Sequence, residues 1–147
     1  VRSGGQVRMV PLTLKVPVPF DYVFPAGVLC LGVDAAVDFE RRHDPDNQVR
    51  DKETGERVWV VRVMDLDPAA GKFGRSTEVK VKICAPQQPV PPASAVPGYP
   101  PSIEFDGLTL TPYVDSQRCK GTGQCKARMA YSLRATAIRP AVVGAAA

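Results

Sequence analysis

Residues 78–84 read EVKVKIC, and residues 58–65 read VWVVRVMD. In the first stretch Val79, Val81 and Ile83 alternate with Glu78, Lys80 and Lys82. A period of two marks a strand with one buried face and one wet face. The second stretch is apolar almost throughout, with Arg62 as the exception, so both of its faces are expected to be covered. The link at 66–77 carries Asp67, Pro68, Gly71 and Gly74. These turn residues predict an antiparallel hairpin with a long tip.

Toward the N-terminus, Leu12, Leu14, Val16 and Val18 alternate with Thr13, Lys15 and Pro17, which predicts another half-buried strand. Pro17 and Pro19 lack a backbone donor and put that strand at an edge. Phe20, Tyr22 and Phe24, stopped by residues 25–27 (PAG), are expected to plug one end of the core. Residues 28–33 (VLCLGV) read as a short strand, with Gly32 pointing to a bulge. Residues 34–42 (DAAVDFERR) carry the one helical signal, a turn or two. Residues 41–55 contain a single apolar side chain, Val49, and read as a long excursion. It ends in the turn 52–55 (KETG), where Gly55 supplies a positive φ.

Residues 85–101 hold seven prolines in seventeen positions. Proline presets φ and removes donors, so polyproline II is the natural state. A stiff loop crossing a barrel is preferred to an interdomain linker, because a separate domain after it would be marginally small. After it, Leu108, Leu110 and Pro112 alternate with Thr109, Thr111 and Tyr113. Met129, Tyr131, Leu133, Ala135 and Ala137 alternate with Arg128, Ala130, Ser132, Arg134 and Thr136. These two make a hairpin with a basic tip and a basic outer face. Tyr131 shares a face with Met129 and Leu133 and is expected in the core. So is Trp59, which lies in an apolar strand.

Six short strands and almost no helix predict a mainly β fold. A sheet edge invites pairing, which favours a small closed or partly open antiparallel barrel, OB-like, with a long Pro-rich loop. The organisation expected is a disordered N-terminal arm at 1–10, a single β-barrel domain at 11–140 and a flexible tail at 141–147. The 147 residues fit one domain, and 44% hydrophobic with 23% charged residues is ordinary globular usage. No apolar run is long enough for a transmembrane helix and no secretory h-region is visible, so a cytoplasmic location is expected.

The net charge of +4 is unevenly spread. Residues 34–75 carry a net of −2, whereas residues 101–147 carry +3. A local basic surface attracts phosphate polymers, although a charge of this size also serves solubility alone. Cys30 and Cys84 sit in apolar segments and read as small core residues. Cys119 and Cys125 have a C-x5-C spacing that does not make a zinc site. A disulfide there is geometrically open, but free thiols are the expectation without a secretion signal.

The sequence carries no catalytic motif. The single histidine, His43, lies in a polar loop, and Asp65 with Asp67 reads as a solvated turn before Pro68. No enzyme activity, metal or cofactor is expected. Binding of single-stranded nucleic acid fits better, since it needs cations along phosphates and exposed aromatics under bases. The candidate contacts are Lys80, Lys82, Arg118, Lys120, Lys126, Arg128 and Arg134, with Tyr113 as the stacking residue. The plain alternative is that the outward lysines merely guard a sheet edge.

Four segments then carry a resemblance: residues 18–42 (VPFDYVFPAGVLCLGVDAAVDFERR), 51–68 (DKETGERVWVVRVMDLDP), 79–92 (VKVKICAPQQPVPP) and 103–115 with 128–140 (IEFDGLTLTPYVD and RMAYSLRATAIRP). In order and wording they resemble the actinobacterial plasmid replication, integration and excision activator family of Streptomyces-type integrative conjugative plasmids. The tip at 117–127 is longer than the connection usual in that family, and the nine N-terminal residues are extra. The resemblance implies an accessory regulatory protein of element mobilisation and assigns no residue a role. The layout is also similar to OB-like single-strand-binding accessory proteins of other integrative elements, which serve a relaxase and helicase. Single-stranded DNA is thus the favoured partner, with a replication initiator or relaxase as a further candidate and no membrane. A transcriptional activator reading duplex DNA through the 115–128 hairpin, and a protein-interaction module, are the alternatives.

Overall fold

The computed structural model describes residues 14–72, 77–115 and 128–142. The expectations for the arm at 1–10, for most of the tail and for the basic tip with Arg118, Lys120, Lys126, Cys119 and Cys125 fall outside these residues. The fold is mainly β. Eight strands form one sheet curled into a half-barrel, consistent with a partly open barrel. They are β1 (Val16–Pro17), β2 (Val28–Ala35), β3 (Val58–Asp65), β4 (Glu78–Cys84), β5 (Ser102–Asp106), β6 (Thr109–Asp115), β7 (Arg128–Ala135) and β8 (Ala137–Pro140). Their order across the sheet is β1-β6-β7-β4-β3-β2-β5-β8.

The β3–β4 hairpin forms as its alternation dictates, with Val61 opposite Val81 and Val63 opposite Val79. Val61, Val63, Val81 and Ile83 are buried on the concave side, together with Val28, Cys30, Ile103, Phe105, Leu108 and Leu133. Full burial of one such aliphatic side chain contributes about 1.5–3 kcal/mol. A single helical turn, α1 (Phe20–Val23), packs Phe20 and Val23 against this core. Its Phe20 ring lies 5.5 Å from that of Phe24 and 6.2 Å from that of Phe105, so the aromatic plug forms from these three rings. Tyr22 is not part of it and faces solvent.

Three details differ from the sequence-based expectation. The sheet is not wholly antiparallel, because β4 and β7 pair in parallel, with Lys82 beside Arg134. The long crossover from β4 to β7 permits this, since a tight turn imposes antiparallel order only on strands adjacent in sequence. Among the described residues there are eight strands rather than six, the extra ones being β5 and the short edge strand β8, while the two-residue β1 falls within the strand expected from the alternation at 12–18. And Tyr131 is not core: Met129 and Tyr131 are 60% and 59% exposed. The β6–β7 hairpin outruns the barrel, so only its Leu133 and Ala135 end meets other strands.

The Pro-rich segment joins strands of the same sheet. It spans from β4 to β5 past the flank of β2, where Pro101 accepts from the Cys30 amide at 2.8 Å and Gln88 donates to the Val33 carbonyl at 2.8 Å. At its start the Ala85 carbonyl accepts from the half-buried Trp59 indole at 2.9 Å. The register of β2 against β3 shifts between Cys30 and Gly32, the bulge that Gly32 signalled. The excursion at 36–57 folds back on itself: Gln48 is buried and donates to the Val58 carbonyl, and Val58 is buried too. At that end both faces of β3 are covered, as its apolar run implied.

Candidate nucleic-acid interface

The convex face of the sheet carries the charged residues. Strand alternation puts Lys80 and Lys82 opposite the inward Val81 and Ile83, and both are exposed. Lys82 lies beside Arg134 of β7 and Val60 of β3, and Lys80 is opposite Arg62. Across β7, Arg134 faces Thr109, and β1 follows at the sheet edge. Lys15, next to Val16, opens onto the same side, where it lines a cleft with Lys82 and Arg134. Sequence reasoning passed over Lys15. The signal lies in its alternation with Leu14 and Val16, just ahead of the prolines that mark the segment as an edge.

The arginines of this face are not bare. Arg62 meets Asp34 at 2.7 Å and Glu78 at 3.9 Å. Arg134 meets Asp51 of the excursion at 3.6 Å, and Arg128 meets Asp115 at 4.0 Å. The lysines differ: among the described residues no ion pair involves Lys15, Lys80 or Lys82. An arginine fork suits a fixed carboxylate, whereas a lysine on a flexible stem stays hydrated and available. Of the sequence candidates, Lys80, Lys82 and Arg134 come together. Arg128 and Tyr113 lie farther along the β6–β7 hairpin, where Tyr113 is opposite Ala130 and 49% exposed.

Asp51 is held by its own turn. Its Oδ2 accepts from the Thr54 amide and the Thr54 hydroxyl, each at 3.0 Å. Those hydrogen bonds, helped by the charges of Arg134 and Lys15, lower its pKa from the usual carboxylate value. Gly55 closes the turn with φ of 73°, and its amide donates to the Asp51 carbonyl. Nearby, Asp46 receives Arg50 and Arg57, each at 3.2 Å, which lowers its pKa in the same way. Cys84 lines the cleft as well, and burial raises its thiol pKa, so it is not poised as a thiolate.

Asp65 and Asp67 serve local backbone, accepting from the Asp67 and Ala69 amides. His43 is exposed in its loop. Among the described residues no helix is long and apolar enough to cross a membrane. No family model, curated protein or solved structure matches the chain.

Proposed function

We propose that this chain is a non-enzymatic DNA-binding accessory protein of an integrative plasmid, which promotes replication, integration and excision by holding single-stranded DNA on the convex face of its half-barrel. The observation that carries the proposal is the division of labour on that face. Its arginines are paired with carboxylates, while Lys15 beside β1 and Lys80 and Lys82 on β4 have no ion pair among the described residues. Unpaired cations track a phosphate backbone without sequence preference, and exposed tyrosines supply stacking. The plasmid context rests on the resemblance of the quoted segments. Fluorescence anisotropy of a labelled oligothymidylate tests the proposal. Binding should weaken steeply with salt, and the double variant K80Q/K82Q should lower both affinity and salt dependence.

One observation favours duplex DNA as a second reading. The outer half of the β6–β7 hairpin is exposed on both faces, through Tyr113 and Arg128 on one and Val114, Met129 and Tyr131 on the other. A two-stranded ribbon of this kind fits a major groove. Footprinting on the element's replication promoter separates the two.

A further inference from the structure

Lys15, just before β1, Lys82 of β4 and Arg134 of β7 line one cleft of about 260 Å³ beneath the Asp51–Gly55 turn. That is several times the roughly 30 Å³ share of one water molecule in the liquid. The hydroxyl-bearing Thr109 also lines it. Three cations in one small concavity repel one another, and the cost is offset by an anion between them. In the free protein the Asp51 carboxylate, whose side chain is only 13% exposed, meets the charges of Arg134 and Lys15 there.

The fit of Asp51 to this place is loose. Arg139 holds Asp106 at 2.7 Å and Glu104 at 2.9 Å, and Arg62 holds Asp34 at 2.7 Å. Arg134 reaches Asp51 only at 3.6 Å, and its Nη1 has a distant sulfur contact with Cys84 at 3.8 Å. Most of the guanidinium's donors are therefore unspent, although a fork of this kind binds an oxyanion best with two short parallel bonds. Asp51 keeps its Thr54 bonds whether or not Arg134 stays, so releasing the arginine does not undo the turn.

We infer that this cleft is a phosphate-binding site, and that Asp51 is an internal stand-in which yields Arg134 to the incoming oxyanion. The turn at 51–55 then sets how tightly the convex face takes a polyanion. The inference rests on the proposed nucleic-acid function for the identity of the larger ligand, whereas the phosphate chemistry stands on the cleft alone.

The test compares the wild type with D51N, E53Q and K82Q, using labelled oligothymidylate by anisotropy and inorganic pyrophosphate by calorimetry. Asparagine still accepts from the Thr54 amide, so D51N keeps its turn. E53Q removes a second acid from the cleft lining without touching a cap. At low salt, D51N should tighten oligonucleotide binding about three- to tenfold, E53Q less, and K82Q should weaken it. Tightening for both ligands identifies a general phosphate site, and tightening for the oligonucleotide alone identifies the nucleic-acid backbone as the source. If wild type and D51N bind the oligonucleotide equally while K82Q weakens it, the inference is overturned and the nucleic-acid function stands. If pyrophosphate binds more tightly to D51N but no oligonucleotide binds either protein, the function fails and the site stands. If neither ligand binds either protein, both fail.

Discussion

Lys80 and Lys82 stand exposed on the outer face of β4, with no ion pair among the described residues. Their alternation with Val79, Val81 and Ile83 fixed the face they occupy, and the sheet puts them there. The sequence could not show which cations keep their charge free. Arg134 meets Asp51 only because the excursion folds over the outer face, and that long-range pairing leaves no local pattern. The K80Q/K82Q variant should therefore reduce the slope of log affinity against log salt by about 1.4, which is roughly 0.7 for each single-strand phosphate no longer neutralised. Its thermal stability should stay within about 0.5 kcal/mol, since both side chains are on the surface. Gly107 makes the opposite case. It has φ of 60°, and a Cβ there lies 2.6 Å from the Thr136 hydroxyl oxygen, which bonds the Asp106 carbonyl. G107A should destabilise the fold by about 1–3 kcal/mol in urea denaturation.

Among the elements, strands were legible wherever apolar and polar residues alternate over a buried face, as in β3 and β4. Alternation failed as a guide in β7, because it gives a side but not a depth. Met129 and Tyr131 are on the core side of a hairpin that extends past the core. The excursion was recognisable by its polarity, but its packing on Val58 through the buried Gln48 was not. Its order depends on charge. Asp46 and Asp51 have folded pKa values below the ordinary one, so their contribution is present above the unfolded value near 3.9. It is lost as pH falls through the lower folded values. Hydrogen exchange of the Thr54 and Gly55 amides should accelerate relative to core amides of β3 and β4 as pH is lowered below about 4, once the intrinsic pH dependence is removed. D46N should produce the same loosening of the excursion at pH 7.

β6 borders the short β1 and is blunted by Pro112. The Val18 amide bonds the Leu108 carbonyl directly opposite, so the register turns residues 108, 110 and 112 toward the β1 side. The missing donor of Pro112 therefore falls on the part of that edge beyond β1, and the β6–β7 ladder loses nothing. Proline at such a place discourages edge-to-edge pairing. P112V should restore the donor and increase self-association, read as a rise in mass by light scattering at high protein concentration. No such rise would mean the edge is guarded by something else.

Across the entire fold, the half-barrel sets which surfaces exist. Its concave side is filled by the aliphatic core and the Phe20–Phe24–Phe105 plug, and an open cleft of about 720 Å³ lies beside that plug, lined by Val18, Phe20, Phe105, Leu108 and Arg139. The convex side carries an acidic excursion at one end and the lysines beside β1 and along β4. The general β character was legible because many short strands and turn residues recur along the chain. The parallel pairing of β4 with β7 was not, because register between strands far apart in sequence is decided by the packed core. That pairing is also what puts Lys82 and Arg134 side by side. The most direct measurement is the anisotropy of labelled oligothymidylates of increasing length, titrated with the full chain at several salt concentrations. Tighter binding with length, weakened by salt and by K80Q/K82Q, is the expected result. A flat signal at every length at low salt, from protein shown to be folded, would contradict the proposal that this face holds a nucleic acid.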